Sequence, residues 1–174
     1  MSMNRILALM LLVFVIEGAL MPWIIPEGFG ARIIPHFIFV IVLFSALYGN
    51  RHQALLLGSA FGLLQDVVYF GQLLGVNFFA MGLLGYFTGV LLERKRATVM
   101  MAITVIGFAC IIYDSSLFFI YKVFRITSAS YAWALLNHIL PSLFLQIAFA
   151  LAVYVLVRRI FESRKESGAD SEEE

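Results

Sequence analysis

The chain has 174 residues, of which 62% are hydrophobic and 13% charged, and its mean hydropathy is +0.95. Water-soluble domains carry roughly 45–50% apolar and about 25% charged residues, so a soluble globular domain is excluded and lipid is the solvent for most of the chain. The formal net charge of +1 offers nothing to a polyanion, and Cys110, the single cysteine, excludes an intrachain disulfide and a thiolate metal cluster.

A helix that crosses a bilayer needs about 17–25 largely apolar residues. Six such spans are predicted, at about 6–23, 35–49, 54–70, 76–92, 97–121 and 133–157, which makes residues 1–160 one all-α transmembrane bundle. The first follows Arg5 and could be mistaken for a secretory signal. It is too long for a signal core, contains Glu17, and runs into Pro22 and Trp23 without a small-residue cleavage site, so it reads as a retained helix. The 24–34 stretch reads as an interfacial turn, and the second span is short.

The third span carries Gly58, Gly62 and Asp66, spaced i, i+4, i+8 and hence on one helical face. The fourth opens at Asn77 and carries Gly82, Gly85 and Gly89; seven of the thirteen glycines lie between Gly58 and Gly89. Glycine faces let helix backbones approach closely in lipid. These residues are therefore expected to pack helices three and four together or to form a partner interface. The fifth span places Asp114 on one face with Gly107 and Cys110, the latter read as a small packing residue. In the sixth, His138, Ser142 and Gln146 form an i, i+4, i+8 polar stripe beside Asn137 and Pro141. The tail, 161–174, holds six of the eleven acids and lacks apolar periodicity, so it is expected to be disordered and cytoplasmic.

Positive charge orients the bundle. With the N-terminus inside, Arg5, Arg51, Arg94, Lys95, Arg96, Arg158, Arg159, Arg164 and Lys165 share one side, against Arg32, Lys122 and Arg125 on the other. Both termini are then cytoplasmic, and Trp23 and Trp133 fall at the outer interface. At about 1.5 Å per helical residue, Glu17, Asp66, Asp114 and His138 lie roughly 18, 22, 27 and 30 Å from the nearest cytoplasmic boundary arginine. In a hydrocarbon core about 30 Å thick, Glu17, Asp66, Asn77, Asp114, His138, Ser142 and Gln146 thus form an outer-half polar cluster. Ionisable groups at such depth mark function more often than not. The cluster reads either as a pocket open to the outside or as a set of groups that satisfy one another.

Catalytic chemistry finds little purchase. An aspartyl protease requires two carboxylates sharing a proton, and intramembrane enzymes of that kind carry Gly-x-Gly-Asp where this chain has Leu64-Gln65-Asp66. His138 and Ser142 are one turn apart on one helix, with no oxyanion signature. His36, His52 and His138 are assigned to different depths or sides, which disfavours zinc. No phosphate-binding loop or nucleic-acid-binding pattern is present. No catalytic residue, metal or cofactor is expected.

The length, the six spans, Pro35 opening the second, the Gly58–Asp66 run continuing as Val67-Val68, and Leu74-Gly75 followed by Gly85-Tyr86-x-x-Gly89 together resemble the rod-shape-determining MreD family. The resemblance covers about residues 1–160. It implies a non-catalytic scaffold in the inner membrane, part of the bacterial cell-elongation machinery, with MreC, the actin-like MreB, RodA and a class B penicillin-binding protein as partners. The family is also distantly similar to the substrate-binding subunits of energy-coupling-factor transporters. The alternative it implies is therefore a vitamin-like small-molecule binding subunit that works with an energising partner.

Overall fold

The computed structural model describes residues 3–20, 36–69, 73–92 and 98–169, with side chains over 6–19, 36–69, 73–92 and 98–154. The 24–34 connection, Trp23, Pro35 and the Arg94-Lys95-Arg96 cluster lie outside them. Among the described residues the chain is all-helical, in six segments. Helix α1 is Met3–Val15 and ends in a π-turn, Ile16–Leu20. Helices α2 (Phe37–Tyr48), α3 (Arg51–Val68), α4 (Val76–Leu92) and α5 (Val99–Val123) follow. Helix α6 starts as Tyr131–Ala134, widens into a π-turn at Leu135–Ile139, and continues as Leu140–Ala169.

Among the described residues, two helices are long and apolar enough to cross a membrane, Val99–Val123 and Tyr131–Tyr154, with shorter apolar helices at Ile6–Ala19, Phe37–Tyr48 and Val76–Leu92. Helix α3 is amphipathic. Gln53, Gln65 and Asp66 are buried on its inner side, whereas Leu56, Leu63 and Val67 are exposed.

Helix α2 is the centre of the bundle. Every residue from Phe37 to Leu47 is buried, in a run whose one polar member is Ser45. A helix that is apolar all round has no face for water, and here it is covered by α1, α3, α4, α5 and α6. Ile6, Met10 and Val13 bring one stripe of α1 into the core. Tyr113 of α5 stacks on Phe39, with ring centroids 4.4 Å apart, and Phe149 of α6 stacks on Phe37 at 4.3 Å. Offset aromatic pairs of this kind add about 0.5–1.5 kcal/mol beyond their buried area. Cys110 is buried in the same core.

Helices α3 and α4 make the closest pairing. A Cβ added at Gly58 would lie 2.7 Å from the Met81 carbonyl oxygen, and one at Gly62 would lie 2.5 Å from that of Asn77. From the other side, Gly82 faces Ser59, Gly85 meets Val42 and Ala54, and Gly89 meets Arg51. Backbone therefore lies directly on backbone along this seam.

The sixth helix departs from the sequence expectation. Its backbone is helical to Ala169, well past Phe161, where order was expected to end. Glu, Arg and Lys are good helix formers, and low hydrophobicity does not by itself unwind a helix already nucleated by the preceding span.

Candidate functional site

The helices alternate in direction. The ends of α1, α3 and α5 meet the starts of α2, α4 and α6, and the acids Glu17, Asp66 and Asp114 lie toward that end. They form three linked sets.

Glu17 sits in the π-turn that closes α1. Its carboxylate accepts the Ile38 backbone N–H at 3.2 Å, at the N-terminus of α2, and the Gln65 amide Nε2–H at 2.7 Å from α3. The first N–H groups of a helix have no partner within it, and negative charge is favoured there by the helix dipole. One acid thus caps the central helix and ties α1 to α3.

Asp66, 1% exposed, does the same for α4. Its Oδ2 accepts the backbone N–H groups of Gly75 at 3.0 Å and Phe78 at 3.2 Å. Its Oδ1 accepts the Asn77 backbone N–H at 3.3 Å and side-chain Nδ2–H at 3.0 Å. A carboxylate offers about four acceptor sites, and all four are taken. Gly75 makes this possible with φ +94, a left-handed conformation natural to glycine that directs its N–H at the acid. Asn77 in turn accepts the Tyr113 hydroxyl at 2.6 Å, carrying the network to α5.

The third set surrounds Asp114. Its Oδ1 lies 3.6 Å from His36 Nε2, and the His36 ring stands edge-on to Tyr113 with centroids 5.0 Å apart. His36 Nδ1 is buried with no hydrogen-bond partner among the described residues, and the buried Gln146 amide lies beside Asp114. Beside them opens a cavity of about 220 Å³. Asp114, His36, His138 and Ser142 contribute polar lining; Leu117, Phe118, Trp133 and Ile139 contribute apolar walls.

The predicted polar cluster therefore falls into separate duties. Glu17 acts with Gln65, Asp66 with Asn77, and Asp114 with His36. His138 and Ser142 line the cavity; Gln146 lies one turn further along α6. The His138 ring packs edge-on against Trp133, at 5.0 Å, while the histidine beside Asp114 is His36. The assignment of His36 and His138 to different depths or sides is corrected, since both line one cavity. Among the described residues, no group of three or more His, Cys, Asp or Glu side chains is placed to hold a metal ion. Asp66 and Asp114 have different partners, so they do not share a proton as an aspartyl dyad must.

Three residues in this region were not assigned to the polar cluster from the sequence: His36, weighed only as a zinc ligand, Gln65, and Tyr113, weighed only as part of the Tyr113-Asp114 dipeptide of aspartyl proteases. Their signal was position: His36 directly precedes the apolar run of α2, Gln65 adjoins Asp66, and Tyr113 adjoins Asp114.

A family model described as rod shape-determining protein MreD matches residues 3–164, nearly the whole chain. The chain belongs to the MreD family. Members of the MreD family are non-catalytic, shape-determining membrane proteins, and this helical chain is one of them. Its Asp66 and Gly75, both within the matched region, act as a helix cap and the turn that serves it. No curated protein and no solved structure matches the chain.

Proposed function

We propose that this MreD-family chain is a scaffold subunit of the cell-elongation complex, multi-pass in the bacterial inner membrane with both termini cytoplasmic. It holds an MreC-type protein, the MreB cytoskeleton, RodA and a class B penicillin-binding protein together. The observation that carries this reading is the use of Glu17 and Asp66. Acids that would serve a reaction are instead consumed in capping α2 and α4. The product is a stiff α3–α4 wall whose outer surface, with Leu56, Leu63, Phe79, Leu83 and Phe87 exposed, offers apolar side chains to lipid or to partner helices. In lipid such faces associate through close packing rather than through a hydrophobic driving force, and a rigid surface loses little entropy on doing so.

Detergent co-purification with an MreC-type partner tests the proposal. Recovery of a stoichiometric complex is the expected result.

A second reading, a small-molecule subunit of an energy-coupling-factor type transporter, is favoured by one observation, the cavity beside Asp114. It requires that an energising module co-purify and that a vitamin-like ligand bind. That outcome, without an MreC-type partner, would displace the scaffold reading.

A further inference from the structure

The cavity next to Asp114 differs from the two capping sites in opening a space beside its buried polar groups. His36 Nδ1 is buried with no hydrogen-bond partner among the described residues, and Asp114 is met by His36 on one side and by the buried Gln146 amide on the other. With a proton on His36 Nε2 facing Asp114, the free Nδ1 is an acceptor. The lining therefore presents a carboxylate, Asp114, and an imidazole acceptor, His36, to a donor.

The walls narrow the choice. Asp114 lines the cavity together with the aromatic residues Phe118, Tyr121 and Trp133, and a carboxylate in an aromatic-lined cavity favours a cation. A cation with N–H bonds satisfies the acceptors; a quaternary ammonium, which has none, does not. The rim carries the opposite sign. Lys122 Nζ stands 5.5 Å from the Phe118 ring centre and 3.5 Å from the Ala129 carbonyl oxygen, and both of those residues line the cavity. Asp114, Phe118 and Lys122 are i, i+4, i+8 on α5, so acid and lysine are about 12 Å apart along the axis. The lysine side chain folds back over the intervening ring.

We propose that this cavity binds the headgroup of a phosphatidylethanolamine-type lipid, with the primary ammonium on Asp114 and His36 and the phosphate at Lys122. The lipid's glycerol and acyl portions run out along the apolar wall of Leu117, Phe118 and Trp133. The source is the bilayer rather than a soluble amine, since the cavity is lined mainly by apolar and aromatic side chains. This assignment goes beyond the scaffold reading and does not depend on it.

Trp133 lines the cavity and reports on it directly. In full-length W23F protein it is the one remaining tryptophan. The protein, reconstituted in phosphatidylglycerol nanodiscs, is titrated with short-chain phosphatidylethanolamine while Trp133 emission is followed. The expected result is a saturable shift, absent with phosphatidylcholine and with further phosphatidylglycerol. Asp114→Asn is expected to weaken binding by about tenfold or more, and Lys122→Met by a few fold. Should Asp114→Asn not fold, Ala129→Phe serves in its place: it sits in the loop at the cavity mouth, away from the core, and is expected to abolish the shift by obstruction. An equal response to phosphatidylcholine or phosphatidylglycerol overturns the proposal, as does undiminished binding by folded Asp114→Asn or by Ala129→Phe. Soluble O-phosphoethanolamine binding as tightly as the lipid overturns the assignment of the bilayer as source.

Discussion

Replacing Gly62 with alanine tests the α3–α4 seam most severely. The added Cβ would stand 2.5 Å from the Asn77 carbonyl oxygen and 2.7 Å from its carbonyl carbon, whereas ordinary contact begins at 3.4 Å. The shortfall is about 0.9 Å, and the obstacle is backbone, which cannot rotate aside as a side-chain tip can. The helices must therefore separate at this level. Overpacking of this kind costs about 1–3 kcal/mol. Separation also draws Asn77 and Phe78 away from Asp66, whose bonds to their N–H groups are already 3.3 and 3.2 Å long. Losing one charge-assisted bond there adds about 1.5–3 kcal/mol. The two effects share one displacement and are not independent, so a total loss of about 3 kcal/mol is expected. Reversible unfolding in mixed micelles, with a helicity readout, measures it. Gly107→Ala is the internal control, because its Cβ would meet only Ile147 Cδ1 at 3.8 Å. That variant is expected to match the wild type or gain up to about 1 kcal/mol from helix propensity. If Gly62→Ala proved as stable as Gly107→Ala, the close backbone seam would be refuted.

Further outcomes follow from the same contacts. Asp66→Asn places an amide N–H₂ among N–H donors, and an expected loss of about 2–3 kcal/mol should appear in the same unfolding assay; unchanged stability would contradict the capping role. Tyr113→Phe leaves the Asn77 oxygen without its 2.6 Å donor, for an expected loss of about 1–2 kcal/mol. Arg125 ends α5 in a left-handed conformation, φ 56, with Ile126 N–H bonded to the Tyr121 carbonyl and Arg125 N–H to that of Lys122. Glycine fits that position better, so Arg125→Gly is expected to raise stability by about 0.5–1 kcal/mol, and a loss would argue against that geometry. Gly62→Leu is expected to abolish recovery of an MreC-type partner, whereas normal recovery would remove the seam from any role in assembly.

The helices and the glycine seam could be read from the chain because their signals are local. Apolar runs mark spans, and i, i+4 spacing puts Gly58, Gly62 and Asp66 on one face. The duties of the acids could not be read in this way. Glu17 meets partners 21 and 48 residues away, and no local spacing encodes which helix start an acid will cap. Asp66 is the more accessible case, because its donors lie only 9 to 12 residues on, across one turn. The central place of α2 was available in principle. A run from Phe37 to Leu47 with no polar face leaves no side for anything but protein or lipid, and its 12 residues, about 18 Å, are too few to face lipid across a whole bilayer. His36 was set aside because it was assigned to a different depth or side from His138, and no local spacing shows that the start of α2 and the start of α6 face one cavity.

The Asp66 cap also bears on the order in which the chain assembles. The contacts that join α3 to α4 close a loop of about a dozen residues, whereas the Tyr48–Tyr154 contact between α2 and α6 spans 106. Loop-closure entropy grows with the length enclosed. The α3–α4 hairpin, with its backbone seam and its own internal anion, can therefore form as soon as both helices have entered the membrane, before α5 and α6 are made. Newly inserted backbone at the start of α4 would otherwise present bare N–H groups to hydrocarbon, each costing several kcal/mol. On this view Asp66 is a chaperone built into the sequence. It escorts the fourth helix into the bilayer, and the mature bundle keeps the same four bonds.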